Sequence, residues 1–221
     1  MKVIKAIFFD LWRTLAYENK NPSPLTELRE RMDYRGSESE YWGKFEKIFM
    51  KKPIENYREH LRILSKEINI DLKEEEIDEL SNIMERVGKY SEIYEDAREI
   101  IPKIKEDEYK IAIITNSIYP AYEYFEKKHI GFIDQFDAVV KSFDVKSIKP
   151  EPKIFQVALG KLNVKPEEAI MIGDSVYGDV HGADHVGMKG ILIDREKKRK
   201  FYPKRVDDLY QFYEEVYLNL P

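Results

Sequence analysis

The stretch Ala6-Ile7-Phe8-Phe9-Asp10-Leu11-Trp12-Arg13-Thr14-Leu15 constrains the fold more than any other. An unbroken apolar run ends abruptly in a carboxylate. Runs of roughly four to eight residues, rich in Ile and Phe, mark a strand buried on both faces. Open α/β sheets bind their ligands beyond the carboxyl ends of such strands. Asp10 would stand at that edge, held rigidly and partly stripped of water, as a nucleophilic carboxylate requires. Taken alone, it reads equally as a residue that caps the strand and starts a turn.

The pattern changes after this strand. Ser23-Pro24 predicts a helix start, with Ser as cap and Pro in the first turn, and Gly36 is a plausible stop. Tyr41, Trp42, Phe45, Ile48 and Phe49 then repeat at helical spacing. Ile54, Tyr57, Leu61, Leu64 and Ile68 do the same, as do Ile77, Leu80, Met84 and Val87 before Gly88. Each helix has one apolar face, so these faces must pack on one another. No strand signal interrupts them, and residues 17–91 are expected to form a small helical bundle.

Strand and helix alternate from there on. Asp96-Ala97-Arg98-Glu99 reads as a capping box, and Pro102 should kink or shorten the helix it opens. Strands are expected at 110–114, 137–140, 169–172 and 190–193. Helices are expected up to Lys128, from Pro152 to Leu162, and from Leu209 to Leu218. That order implies a parallel sheet with right-handed crossovers. The helical insertion leaves the chain just after Asp10 and returns before Thr115. It should therefore roof the carboxyl edge of the sheet, where a lid belongs.

Composition narrows the function. The 221 residues suffice for one large domain or two modest ones, and a 43% hydrophobic content supports a real core. The absence of Cys excludes disulfides, a Cys nucleophile and thiolate metal sites. A net charge of −5 argues against general nucleic-acid binding. The basic tract Arg195-Glu196-Lys197-Lys198-Arg199-Lys200 reads as a solvated loop, with an anionic partner as the alternative. No apolar stretch approaches membrane-spanning length, so a soluble, cytoplasmic protein is expected. Abundant Lys and Glu without Cys resembles heat-adapted usage. Oligomeric state has no signature in the sequence. His129, His181 and His185 show no ligand spacing and are taken as structural.

Three further strand ends or loops deliver polar groups to the edge that Asp10 occupies. Thr115 and Asn116 offer a hydroxyl, an amide and backbone donors. Lys149 lies in Ser147-Ile148-Lys149-Pro150-Glu151-Pro152, a loop stiffened by proline. Asp174 and Asp179 lie in Gly173-Asp174-Ser175-Val176-Tyr177-Gly178-Asp179. Singly, Thr115 could cap a helix, Lys149 could be solvated and Gly-Asp-Ser could be a turn. Together, Asp10, Asp174 and Asp179 would repel one another unless a cation sat among them. Hard oxygen ligands with room for water describe a Mg²⁺ site. Nucleophile, hydroxyl, ammonium and Mg²⁺ around one point suit a phosphoryl group, whose transfer needs positioning and charge neutralisation.

With these four segments in this order, the chain resembles the haloacid dehalogenase superfamily of aspartate-nucleophile hydrolases. The resemblance implies a Rossmann-like three-layer α/β/α core (1–16 and 92–221) and an inserted all-helical cap (17–91). It implies a covalent intermediate on Asp10, with Thr115 and Lys149 holding the transferring group. It also implies Mg²⁺ bound by Asp10, Asp174 and the backbone carbonyl of Trp12, with Asp179 as ligand or just behind. Trp12, Arg13, Asn116 and Ser175 are the substrate-side candidates. Arg13 and Tyr17 could gate access; Tyr41 and Trp42 could reach down from the cap or belong to its core.

One departure matters. Phosphatases of the superfamily carry Asp-x-Asp-Gly-Thr, whose second Asp is the general acid and base. Here Trp12 and Arg13 replace that Asp and the Gly. An indole cannot shuttle protons. Positioned acid–base groups contribute about 10²–10⁴ in rate, or roughly 3–5 kcal/mol. The expected activity is a slow or substrate-restricted phosphatase acting on a small phosphorylated metabolite. Two alternatives stand beside it. A 2-haloacid dehalogenase also carries an aromatic at this position, and a catalytically silent relative would bind a phosphorylated ligand or a partner.

Overall fold

The computed structural model describes residues 3–220. Met1, Lys2 and Pro221, which the expected core ranges include, lie outside them. In chain order the elements are β1 (Ala6–Phe9), β2 (Ala16–Glu18), α1 (Pro24–Arg31), α2 (Glu38–Phe49), α3 (Tyr57–Glu67), α4 (Glu74–Met84), β3 (Ser91–Ile93), α5 (Glu95–Glu106), β4 (Lys110–Thr115), α6 (Tyr119–Lys128), α7 (Ile130–Ile133), β5 (Ala138–Lys141), α8 (Ser142–Val145), α9 (Pro152–Leu162), β6 (Ala169–Gly173), α10 (Gly182–His185), β7 (Lys189–Ile193), β8 (Arg205–Val206) and α11 (Leu209–Gln211).

Six parallel strands form one sheet in the order β5-β4-β1-β6-β7-β8. The first strand of the chain is thus central. Phe9 stands opposite Ile113 on one side and Ile172 on the other. The two faces explain the unbroken apolar run. Ile7 and Phe9 point into a cluster with Ile101, Phe125 and Phe212, while Ala6 and Phe8 point into a second with Phe155 and Leu159. A strand covered on both sides has no polar alternation to offer. Truncating a fully buried ring such as Phe8 typically costs about 3–5 kcal/mol.

Helices α1–α4 occupy the interval between β2 and β3. Ser23 caps α1, accepting from Thr26 N at 3.2 Å, and Pro24 opens it. Ser37 and Asn56 cap α2 and α3 in the same way. Their apolar faces share a core built on Tyr41, Phe45, Phe49, Leu61, Leu64 and Met84. Ile118, Ala121 and Ile148 from the sheet side complete that core. The insertion is therefore seated on the carboxyl edge beside the Lys149 loop.

Several expectations are corrected. Helix α1 ends at Arg31, with Met32 as C-cap, well before Gly36. The insertion is not bounded by helix alone. Strands β2 and β3 pair antiparallel, Ala16 with Ile93 and Glu18 with Ser91, and this short ribbon spans both expected boundaries. Its three-residue strands are too brief for an alternation signal. Helix α4 ends at Met84, and Gly88 follows with φ +84° in a turn where a Cβ would lie 2.4 Å from Ala121 O.

Asp96 caps nothing, because α5 begins one residue earlier. Its carboxylate instead accepts from Arg195 at 2.8 and 3.0 Å and from Leu209 N at 2.8 Å. Arg195 is consequently no solvated loop residue. It also donates to Thr14 O at 2.6 Å and lies 3.8 Å from the Tyr94 ring centroid. Pro102 does not stop α5, which runs on to Glu106 with Ile100, Ile101 and Ile104 buried. Burial of those side chains outweighs one lost backbone bond. The final helix is α11 followed by a wider turn at 212–216 and a tighter one at 217–219. No helix among the described residues is long and apolar enough to cross a membrane.

Candidate active site

Asp10 follows β1 directly, and its N–H donates to Ile172 O at 2.8 Å, continuing the ladder beyond Phe9. The side chain is thereby fixed at the carboxyl edge, only 6% exposed. Lys149, 5% exposed, aims its ammonium at the same point. Nζ donates to Asp10 Oδ1 at 2.5 Å, Asp179 Oδ1 at 2.6 Å and Ile114 O at 2.9 Å. Thr14 Oγ1 donates to Asp10 Oδ2 at 3.3 Å. One carboxylate oxygen from each of Asp10, Asp174 and Asp179 lies within 4.8 Å of the others.

Each of these side chains is held by its neighbours. Asn116 grips the backbone of Lys149 at both ends: Lys149 N donates to Asn116 Oδ1 at 2.8 Å, and Asn116 Nδ2 donates to Lys149 O at 3.2 Å. Glu151 ties the same loop, accepting from Ser147 Oγ at 2.9 Å. Asp179 folds back over Gly173, where a Cβ would fall 2.2 Å from its carboxylate, and accepts from Ser175 N at 2.9 Å. Ser175 spends its own hydroxyl on the turn, accepting from Gly178 N at 2.9 Å. Thr115 is fully buried at the end of β4, and its hydroxyl makes a long 3.4 Å bond to Asn116 O.

The electrostatics follow from burial. Three carboxylates face a single ammonium. Burial pushes the Asp10 carboxyl up to about 8, with Lys149 pulling it down and Asp179 and Asp174 pushing it further up. Burial and Asp179 raise Asp174 to about 6, against Arg13 and Lys149. Burial opposes the Lys149 charge, but Asp10 and Asp179 overcome it and hold the ammonium above its ordinary range. The cluster is short of positive charge, which is the condition under which buried acids take up protons or cations.

Trp12 and Arg13 flank this cluster. Trp12 Nε1 donates to Ser117 Oγ at 3.2 Å, and its ring meets Phe125 edge-on at 5.4 Å. The indole also lines a cavity of about 390 Å³ together with Tyr17, Thr26, Met50, Tyr94 and Ser117. Arg13 adopts φ +63°, a left-handed conformation that Gly would take freely. Its guanidinium lies 3.3 Å from both Asp174 and Glu196. Tyr41 is fully buried in the insertion core and Trp42 packs against that core, so neither reaches the edge.

Asp10, Asp174, Asp179, Lys149 and Asn116 are thus brought together, with Trp12 and Arg13 beside them. Thr115 and Ser175 stand at the same edge with their hydroxyls on local backbone. Two participants escaped the sequence. The sequence assigns Thr14 no role, yet its hydroxyl donates to Asp10 Oδ2 at 3.3 Å. Nor does it single out Glu46, and Asn116 Nδ2 donates to Glu46 Oε2 at 3.2 Å. The signal for Glu46 was its position on α2, one turn after Trp42 and one turn before Met50, inside the apolar stripe.

A parallel sheet whose central strand ends in a buried, lysine-paired carboxylate, with two more carboxylates from the next strand end, defines a class of hydrolase. The chain belongs to the family of haloacid dehalogenase-like hydrolases, whose family model matches residues 7–193. It is 31% identical over 201 residues to the glyceraldehyde 3-phosphate phosphatase of Pyrococcus furiosus, covering 86% of this chain and 81% of that one. It is 28% identical over 219 residues to the Methanopyrus kandleri protein of the same name, covering 95% and 92%. Among solved structures it is similar to the HAD phosphatase of Thermococcus onnurineus, with a TM-score of 0.64, 29% identity, and 96% and 98% of the two chains covered.

Proposed function

We propose that this protein is a Mg²⁺-dependent phosphatase of a small phosphorylated metabolite, working through an aspartyl phosphate on Asp10. The observation that carries this reading is the 5%-exposed Lys149, bound at once to Asp10 and Asp179 with Asp174 close by. Asp10 would attack phosphorus, and Lys149 and Thr115 would hold the phosphoryl oxygens. Asn116 would keep Lys149 on station through its backbone grip. Residues 17–91 would act as the cap over a core of 1–16 and 92–221, and the cavity lined by Trp12, Tyr17 and Met50 would receive the organic part of the substrate.

The residues fit a divalent ion. Three close oxygen donors, two of them on acids that burial leaves hard to ionise, offer what a hard cation needs. Asp10, Asp174 and the Trp12 carbonyl would hold it, with Asp179 as ligand or just behind. When bound, the ion supplies charge neutralisation for the phosphoryl oxygens.

The test is a panel of phosphorylated metabolites assayed with and without Mg²⁺. Glyceraldehyde 3-phosphate heads it, because two relatives are named for that substrate. Phosphate release that needs Mg²⁺ supports the reading, and no release from any ester refutes it. The aromatic at position 12 favours one second reading, a 2-haloacid dehalogenase. Halide release that persists in excess chelator would put that reading first, although Asp174 and Asp179 have little purpose without a cation.

A further inference from the structure

We propose that Glu46, from helix α2 of the insertion, is the general acid and base of this site, the task an indole at position 12 cannot perform. The inference rests on the phosphatase reading. It begins with direction. A phosphoryl group attacked by Asp10 loses the oxygen that lies in line on its far side. That side faces away from the sheet edge and toward the insertion.

Helix α2 and the turn after it are what the insertion sets there. Three contacts fix the placement. Glu46 Oε2 accepts from Asn116 Nδ2 at 3.2 Å. Lys51, just past the helix, pairs with Glu151 of the Lys149 loop. Ile148 of that loop belongs to the same apolar cluster as Phe45 and Phe49. One turn beyond Glu46, Met50 lines the cavity, and the two are joined by the bond from Met50 N to Glu46 O at 2.9 Å. The Glu46 carboxyl therefore lies against the amide that grips Lys149, one helical turn from a residue that lines the cavity.

Most of the other proton carriers nearby are already committed. Lys149 donates to three oxygens. Thr14 is bound to Asp10, and the Trp12 N–H to Ser117. Glu196 pairs with Arg13 and Lys198. Glu18 lines the cavity with one oxygen on Gly88 N at 2.6 Å and the other buried without a partner among the described residues, but unlike Glu46 it makes no hydrogen bond to Asn116 or the Lys149 loop. Burial raises the Glu46 carboxyl, with Lys149 and the Asn116 bond restraining the rise, which suits a group that must both give and take a proton.

The balance closes over two steps. Asp10 bonds to phosphorus while the bond to the leaving oxygen breaks, its electron pair staying on that oxygen. Protonated Glu46 then passes its proton to it, and an alcohol departs. Water next attacks the aspartyl phosphate. Glu46 carboxylate takes the water proton, the acyl oxygen–phosphorus bond breaks, and Asp10 leaves as carboxylate with orthophosphate released.

The experiment compares kcat/KM for 4-nitrophenyl phosphate, whose leaving group needs no proton, with that for glycerol phosphate, whose leaving group does. Glu46→Gln keeps an acceptor for Asn116 but carries no transferable proton. It should cut kcat/KM for glycerol phosphate by about 10²–10⁴ and for the nitrophenyl ester by far less. Glu46→Asp, which keeps a carboxyl, should recover part of the alkyl-ester rate. Equal losses on both esters would make Glu46 a positioning residue and overturn the proposal, as would no loss on either. Should Glu46→Gln prove poorly folded, Glu46→Asp decides alone, and an unchanged ratio between the two esters overturns the proposal. A wild-type protein inert toward every ester would instead remove the phosphatase reading, and this inference with it.

Discussion

Replacing Lys149 by Met tests the electrostatic core of the site without touching its shape. Lys149, Asp10 and Asp179 are 5%, 6% and 1% exposed. At 2.5 and 2.6 Å and an effective dielectric of about 20, each contact carries roughly 6 kcal/mol of attraction when both partners are charged. Much of that offsets the cost of burying the charges, so the net loss expected from removing the ammonium is about 3–5 kcal/mol. The loss must depend on pH. The folded-state carboxyl of Asp10 titrates near 8, above the ordinary 3.8. A carboxyl raised on folding contributes stability that is complete below its unfolded value and is lost as pH rises through the folded one. Removing Lys149 removes the group that pulls Asp10 down, so the folded value climbs further. Lys149 itself, raised above 10.5, is charged throughout this range and its contribution does not fade within it. The gap between variant and wild type should therefore change little below about pH 7 and open as pH rises through about 8. Urea unfolding in chelator at about pH 6 and about pH 9 measures it. A loss below about 1 kcal/mol, or one identical at the two pH values, would refute the view of Lys149 as the counter-charge to buried carboxylates.

Other outcomes follow from the same geometry. Asp10→Asn should abolish phosphate release while leaving the far-ultraviolet dichroism unchanged. Mg²⁺ added to chelated protein should raise its unfolding free energy in urea by about 2.7 kcal/mol at a hundredfold excess over the dissociation constant, and Asp174→Ala should erase that gain. Trp12→Asp should raise turnover of alkyl phosphates, by up to about 10²–10⁴ when Glu46 is also Gln, and should cost about 1–3 kcal/mol through loss of the Phe125 contact. Asp96→Ala should destabilise by about 3–5 kcal/mol in urea unfolding, because it strands the largely buried Arg195 and frees Leu209 N.

The sheet was legible because its strands are covered on both faces. Ala6–Phe9, the stretch 111–114 and Ala169–Gly173 hold no polar side chain to confuse the pattern. Helix α9 was legible at both ends, from Pro152 at its start and Leu162 as its last apolar position. What the sequence hid was the work of long-range partners. Asp96 has the spacing of a capping box, yet its carboxylate belongs to an arginine nearly a hundred positions away. Arg195 sits in a run of charges that composition alone assigns to solvent. Strands β2 and β3 are three residues each and pair only because the insertion brings their ends together. The acidic trio and Lys149 could be listed from the sequence as strand-end groups, but Asn116 as the clamp on Lys149 could not, because an amide gripping a backbone leaves no spacing to read.

Glu46 sharpens that point. A charged residue in an amphipathic helix is ordinarily assigned to the solvent face, and the opposite inference needs a reason for the helix to bury it. Trp42, Phe49 and Met50 supply the reason, since they put Glu46 within the apolar stripe that seats α2 on the sheet edge. Its half-buried carboxyl meets Asn116 there rather than a lysine, so it is hydrogen-bonded without being neutralised. A carboxyl kept in that condition is poorly suited to stabilising an interface and well suited to exchanging a proton. The replacement at position 12 then has a physical consequence. The indole lines the cavity and meets Phe125 edge-on, and on the proposal above proton transfer would pass from the loop after β1 to the insertion. Catalysis would depend on how the insertion is seated, because the group that protonates the leaving oxygen arrives only when α2 is down on the Lys149 loop.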